Sequence, residues 1–403
     1  MTRSKCSTTP LVILIRWLLK LLYMVTLYGK ALKKEELLRS IGGVEQVGGI
    51  KLFKISDGAE KDVRVALMRT GELSLLIIID RCLDIANAEY RGIPIGWISP
   101  TGIASPYFFE PEKFGWLRGF FAGLLTTCGL TYMGAPTIDQ GEELGLHGRI
   151  SYSPAKLSSV GGRWEGDEYV IWIEGEMREA KVFEPNLVLR RRIESRLGER
   201  KIKIFDEVVN EGWIRQPLMI LYHINIGFPI VADGSRFIST SRLYVPRDEE
   251  ARKDAEKYDQ IHEPVKEYRE KVYFHDLAVD GDGYAYAAVI NERLLDGLGV
   301  YVRFRKDQLN RFIEWKMLGE GTYVIGMEPA NALVMGRDKE RKWGTLQYIS
   351  PQDHRRFELE IGVIVGEEIR SFKERVAAIT RGVKSRMIEG VEEFIEETKA
   401  QLK

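Results

Sequence analysis

NLVLRRRIESRLGERKIKIFDEVVNEG, residues 186–212, alternates apolar and polar positions on both sides of a short turn, LGER. A period of two puts successive side chains on opposite faces of an extended chain, so this stretch predicts a β-hairpin with one face buried. The pattern recurs outward in both directions. SLLIIID (74–80) reads as a buried strand, AEYRGIPIGWIS (88–99) as an alternating run turned at Gly92, and EYVIWIEGEM (168–177) as another alternating strand. LMILYHINIGFPIV (218–231), YAYAAVIN (284–291), GVYVRFRK (299–306), GTYVIGME (321–328) and RFELEIGVIVG (356–366) follow, each bounded by Gly, Asp, Asn or Pro. Helices do not alternate with these strands, which excludes a Rossmann or α/β-barrel organisation. So many strands in one run predict an all-β protein built as a large two-layer antiparallel sandwich.

Helical periodicity is confined to the ends. KALKKEELLRSI (30–41) predicts a short amphipathic helix stopped by Gly42 and Gly43. In residues 367–403, Val376, Ile379, Val383, Met387, Val391, Phe394, Thr398 and Leu402 recur every three or four positions. That spacing predicts a C-terminal helix packed on the body or on a second subunit, so a homodimer is compatible with the sequence. The charged run EEARKDAEKYDQIHEP (249–264) reads as a solvated insertion between strands. LVILIRWLLKLLYMVTL (11–27) is apolar but holds Arg16 and Lys20 and lacks a signal-peptide cleavage pattern. Residues 1–23 are therefore expected to be a mis-assigned upstream start, with a short interfacial membrane helix as the alternative. The main domain is expected over residues 24–366.

Composition narrows the class of function. The chain has 403 residues, 44% of them hydrophobic, and 59 Lys and Arg balance 59 Asp and Glu. That balance gives no electrostatic footprint for nucleic acid. The three cysteines, Cys6, Cys82 and Cys128, form no CxxC pair. Neither a disulfide framework nor a thiolate zinc site is expected, and a reducing, cytoplasmic setting is the simpler expectation.

Three stretches carry polar groups that a β-sandwich does not need. GLHGRIS holds His147 between glycines, with Arg149 two residues on. The structural alternative is a histidine at a tight turn. MILYHINIGF places His223 in an apolar strand with Asn225 on the same face, and a buried imidazole is either hydrogen-bonded to the backbone or used in proton transfer. TYVIGMEPAN ends a strand on Glu328, followed by Pro329 and Asn331. A carboxylate at the edge of a core can have its pKa raised and serve as a base, although a solvated loop glutamate fits the same letters. Trp315 and Lys316 lie one strand upstream. No HxH or HxxE spacing supports a metal among these groups, and no cofactor is implied.

Together these stretches resemble a known family. DEVVNEGWIRQPLMILYHINIGFP is similar to the aldose 1-epimerase (galactose mutarotase-like) pattern of an Asn-Gly turn and a proline before a histidine-bearing strand. GLHGRIS resembles that family's Leu-His-Gly element, and GMEPAN its Glu-Pro-x-Asn element, in the same order along the chain. DRCLDIANAEYRGIPIGWISPTG, LLTTCGLTYMG and WKMLGEGTYVIGMEPAN resemble the DUF4432 branch of the superfamily, over roughly Met24 to Gly366. The resemblance implies a β supersandwich with a sugar cleft, a small carbohydrate as partner and no cofactor. It implies Glu328 as general base, His223 as general acid and His147 as a substrate-orienting residue. It makes Arg81, Asp84, Arg149, Asn225, Trp315, Lys316 and Asn331 candidates for lining the cleft. Two departures concern the substrate: the usual HxYFN strand reads HINIGFP, and the second glycine of the Leu-His-Gly-Gly element is Arg149. Arg149 leads to the expectation of an anionic sugar, and Gly145 and Gly148 to close approach of a flat ring to His147.

Overall fold

The computed structural model describes residues 24–399, so the expectation for residues 1–23 lies outside the described residues. Asn186–Arg196 and Lys201–Asn210 form the expected hairpin around Leu197–Arg200. They sit inside an eight-stranded antiparallel sheet that also contains Lys156–Glu165, Glu168–Ala180, His354–Val365, Leu298–Arg305, Tyr284–Asn291 and Arg236–Ser239. This is the back sheet. A seven-stranded front sheet runs in the order Thr126–Leu130, Met219–Ile226, Thr322–Ala330, Arg311–Gly319, Lys271–Leu277, Ser241–Pro246 and Arg386–Met387. Its neighbours are antiparallel except the last pair. A five-stranded antiparallel sheet from Gly49–Lys54 to Ile93–Pro94 completes the body. The all-β antiparallel architecture expected from the periodicity, and the supersandwich that the resemblance implies, are the fold observed.

Strand alternation decides which side chains enter the core. On Met219–Ile226, Ile220, Tyr222, Ile224 and Ile226 point into the layer shared with the back sheet, while Met219 and Leu221 join a second cluster on the outer face of the front sheet. Both faces are covered, so the whole strand is buried and reads as a near-continuous apolar run.

The chain ends differ from expectation. Residues 30–41 yield only Lys34–Leu38 as helix, behind a short strand Lys30–Leu32. The C-terminal periodicity is split into Glu367–Thr380 and Val391–Lys399, because Arg381 and Gly382 adopt left-handed backbone. The first helix packs Ile369, Phe372 and Val376 on the outside of the back sheet. The second inserts Phe394 and Ile395 into the cluster on the outer face of the front sheet. A continuous helix could not reach both sides. The 249–264 insertion is also more than a solvated loop: Ala251 and Ala255 are buried beneath its charged exterior. No described helix is long and apolar enough to cross a membrane.

All three sheets meet at one buried ionic cluster. Arg191 of the back sheet donates to Asp206 at 2.6 Å and to Asp84 of the five-stranded sheet at 3.0 Å. Asp84 accepts from the Thr127 backbone at 3.0 Å and its hydroxyl at 2.7 Å, and Tyr222 donates to Asp206 at 2.7 Å. Thr127 and Tyr222 are register partners in the front sheet. Asp84, expected to line the cleft, is instead wholly buried away from the cavity and joins sheets. Replacing Arg191 with Met leaves two buried carboxylates without their cation, which costs about 3–5 kcal/mol. Urea unfolding monitored by tryptophan fluorescence is expected to show that loss as a lower midpoint.

Candidate active site

The register of the front sheet assembles the site. Leu221 pairs with Ala330 and Ile224 with Met327, so His223 and Glu328 stand opposite one another on adjacent strands. Glu328 then pairs with Ile313, and Ile313 with Phe274. The next row runs from Asn225 through Gly326 and Trp315 to Val272. The side chains of His223, Glu328, Ile313, Phe274, Asn225, Trp315 and Val272 face outward, away from the layer between the sheets that Ile224 and Met327 enter. His223 Nε2 lies 3.3 Å from Glu328 Oε1, and the two side chains are almost fully buried. Gly326 makes room for that carboxylate: a Cβ there would sit 2.6 Å from Glu328 Oε1.

His147 reaches the same place from a loop. Its backbone is left-handed, its N–H donates to Gly134, and its carbonyl accepts from Gly129. The imidazole ring stands 6.0 Å from that of His223 and 4.8 Å from Trp116, centroid to centroid. The flanking glycines serve the backbone rather than a ligand. A Cβ on Gly145 would meet the Pro111 carbonyl at 1.8 Å, and one on Gly148 the Tyr132 carbonyl at 2.3 Å. Close approach of a sugar is not what these glycines provide.

The resulting cavity has a volume of about 190 Å³. His147, His223, Trp315 and Glu328 line it, and so do two residues the sequence reading missed, Arg247 and Glu270. Arg247 donates to Glu270 at 2.9 Å and Trp315 Nε1 donates to the other Glu270 oxygen at 2.8 Å. No motif marks this pair; it lies at the edges of Ser241–Pro246 and Lys271–Leu277 and becomes visible only through register. Trp116, Phe120, Phe114 and Leu117 supply an aromatic and aliphatic wall. The dense aromatic run FFEPEKFGWLRGFF (108–121) was the available signal for that wall.

Several expected contacts lie elsewhere. Arg81 is wholly buried and donates to the carbonyls of Ser151, Ala104 and Gly119, so it fixes the loops that carry Trp116 and Phe120 and meets no sugar. Arg149 is exposed over the Phe109 ring and does not line the cavity. Lys316 points to the opposite face of the sheet, where its ammonium is held by the carbonyls of Lys257, Tyr258 and Gln260. Asn331 is buried and bridges Leu218 and Ile220. Asn225 shares the face of His223, as expected, but lies beneath it and donates to its carbonyl.

Burial sets the electrostatics. Desolvation lowers the His147 pKa to about 4. Desolvation, reinforced by His147 and opposed by Asn225, lowers that of His223 to about 3. Desolvation, with Glu270 adding to it and Arg247 opposing, pushes Glu328 well above the usual carboxylate range. Both shifts favour the uncharged pair, with a shared proton on Glu328 rather than on His223. His147 Nδ1, His223 Nδ1 and Glu328 Oε1, all on residues that line the cavity, have no hydrogen-bond partner. Unpaired buried polar atoms converging at a cavity are the mark of a place prepared for a polar ligand. Among the described residues, no group of three or more His, Cys, Asp or Glu is arranged to hold a metal ion.

Similarity to known proteins agrees with this architecture. A structure from Klebsiella pneumoniae described as a candidate aldose 1-epimerase superposes with a TM-score of 0.81 at 22% identity, covering 86% of this chain and 93% of that one. A galactose mutarotase-like protein from Clostridium acetobutylicum gives a TM-score of 0.55 at 13% identity, covering 79% and 99%. Galactose 1-epimerase from Lactobacillus acidophilus gives 0.51 at 11%, covering 79% and 99%. At these identities the likeness establishes a shared fold. No curated protein matches the chain. The family model for the domain of unknown function DUF4432 matches residues 60–363, a span containing every cavity residue named above, and the chain belongs to that family.

Proposed function

We propose that the protein is a carbohydrate epimerase that interconverts the anomers of an aldose by opening and reclosing its ring. The observation that carries this reading is the His223–Glu328 pair: two buried proton carriers 3.3 Å apart, facing a small cavity with unpaired polar atoms around them. A cyclic hemiacetal opens when its C1 hydroxyl loses a proton and its ring oxygen gains one. Both oxygens are bonded to C1, so acid and base have to be near neighbours on one side of the anomeric centre.

The proton inventory follows from burial. In the free site the shared proton rests on Glu328. Substrate hydroxyls that donate to Glu328 favour its ionised form. The proton then passes to His223 across the short gap. Glu328 takes the C1 hydroxyl proton and His223 protonates the ring oxygen, with roles exchanged on reclosure after rotation about C1–C2. His147, neutral and unpaired at Nδ1, is placed to hold a hydroxyl. Glu270 and Arg247 present a polar wall beside the C1–C2 end of the ring.

Three outcomes test this. Saturation-transfer NMR between α and β signals in deuterated buffer should show catalysed exchange, reduced about 10²–10⁴-fold in Glu328→Gln and His223→Ala. Deuterium appearing at C2 would instead identify a carbon epimerase or isomerase. The acidic limb of the kcat/KM profile should lie well below the ordinary imidazole range near 6.5. His223 accepts a second proton only near pH 3, so the acidic limb lies there, and the alkaline limb follows loss of the Glu328 proton. Gly326→Ala, which crowds the Glu328 carboxylate, should lower kcat at least about tenfold, as loss of reactive geometry does. Its thermal midpoint should stay within a few degrees of the parent.

A further inference from the structure

The two walls of the cavity differ in chemistry, and the difference bears on which sugar it takes. On the side of Lys271–Leu277 the wall is Arg247 and Glu270. On the side of the His147 loop it is Phe114, Leu117, Leu146 and Val334, apolar but for the His147 imidazole itself, with Trp116 presenting only its ring because its Nε1 donates to Ser151 at 3.1 Å. The order of strands across the sheet is Lys271–Leu277, Arg311–Gly319, the Glu328 strand, the His223 strand, then Thr126–Leu130. A ring with its C1 hydroxyl at Glu328 and its ring oxygen at His223 continues beyond His223, away from Glu270. C5 and its exocyclic group follow the ring oxygen in the sugar, so they run toward the apolar wall.

Charge points the same way. Arg247 is the sole Lys or Arg among the cavity's lining residues, and its guanidinium is shared between Glu270 at 2.9 Å and Asp248 at 2.8 Å. Two carboxylates already compensate that one cation. A substrate carboxylate or phosphate would be desolvated with no free cation beside it, which is strongly unfavourable. The volume of about 190 Å³ is below the roughly 300–1,000 Å³ of sites for drug-sized ligands, so it suits a single ring.

We infer that the site selects an uncharged aldose with a methyl group in place of the exocyclic hydroxymethyl, a 6-deoxyaldose, rather than a sugar acid or sugar phosphate. This rests on the epimerase reading for the orientation of the ring and replaces the anionic sugar expected from Arg149.

The test compares sugars that differ only at C6. The sets are D-galactose, D-fucose and D-galacturonate; D-glucose, D-quinovose, D-glucuronate and D-glucose 6-phosphate; and L-mannose with L-rhamnose. Anomer exchange is read by saturation-transfer NMR and binding by calorimetry, both on the full chain. In the set the protein uses best, the 6-deoxy member should exceed its parent hexose about 10–100-fold in kcat/KM, the range an apolar pocket can discriminate for one hydroxyl. The acid and the phosphate should fall below both. Leu117→Asn, at an exposed wall position that tolerates change, should narrow the gap severalfold. An equal or faster parent hexose, or a favoured acid or phosphate, overturns the inference. Tightest binding of the 6-deoxy sugar with no exchange in any set removes the catalytic reading and leaves the ligand class standing. Binding indifferent to C6 removes the ligand class whatever the exchange shows.

Discussion

Arg191 sits wholly out of water between three sheets, with Asp206 beside it on its own sheet, Asp84 opposite, and Tyr222 and Thr127 closing the ring of partners. Isolated, any of these charges would be prohibitively costly in the interior. Together they are satisfied only when back, front and five-stranded sheets take one relative position, which gives the cluster its value as a registration device. Tyr222 immediately precedes His223, and Thr127 follows Thr126, the register partner of His223. Locking the sheets at this point therefore fixes the floor of the site directly above it.

The site inherits its geometry from that floor. His223 and Glu328 need no motif of their own to meet: antiparallel register sets them opposite, and outward alternation gives them a common face. Loops supply the covering. Arg81 gathers three carbonyls from separate segments and so holds the lid of Trp116, Phe120 and Tyr152 over the strands. The second C-terminal helix, beyond the span matched by the family model, covers the far part of the same face with Phe394 and Ile395. Exclusion of water by these layers moves the pKa values of His147, His223 and Glu328, since the charged forms lose hydration with little replacement.

Covering the site this way also limits which charged groups face the cavity. Charged side chains here are either paired with one another or turned elsewhere: Arg247 to Glu270 and Asp248, Lys316 to carbonyls on the other face. What remains open to a ligand is a pair sharing one proton, a neutral imidazole and apolar walls. Such an environment suits proton transfer on an uncharged molecule, and its low polarity strengthens the few hydrogen bonds that remain.

Local letters alone mark the strands and the three residues, His147, His223 and Glu328, that meet at the cavity. Period-two alternation is a nearest-neighbour property, so the hairpin at residues 186–212 and the strands bearing His223 and Glu328 were legible from local letters. His147, His223 and Glu328 stood out because each is polar in a setting that favours apolar or small residues. Their neighbours were not legible, because contact between distant segments depends on register and sheet packing. DRCLD gave no sign that Arg81 and Asp84 turn inward to hold loops and sheets together. Nor did Arg149, two residues from His147 in sequence, show that it projects outside. Arg247 and Glu270 carry no local signature, and only pairing between their strands brings them to the cavity. The C-terminal helices show the same division: periodicity marked which residues are buried, while the left-handed turn at Arg381 and Gly382 decided that they cover two different sheets.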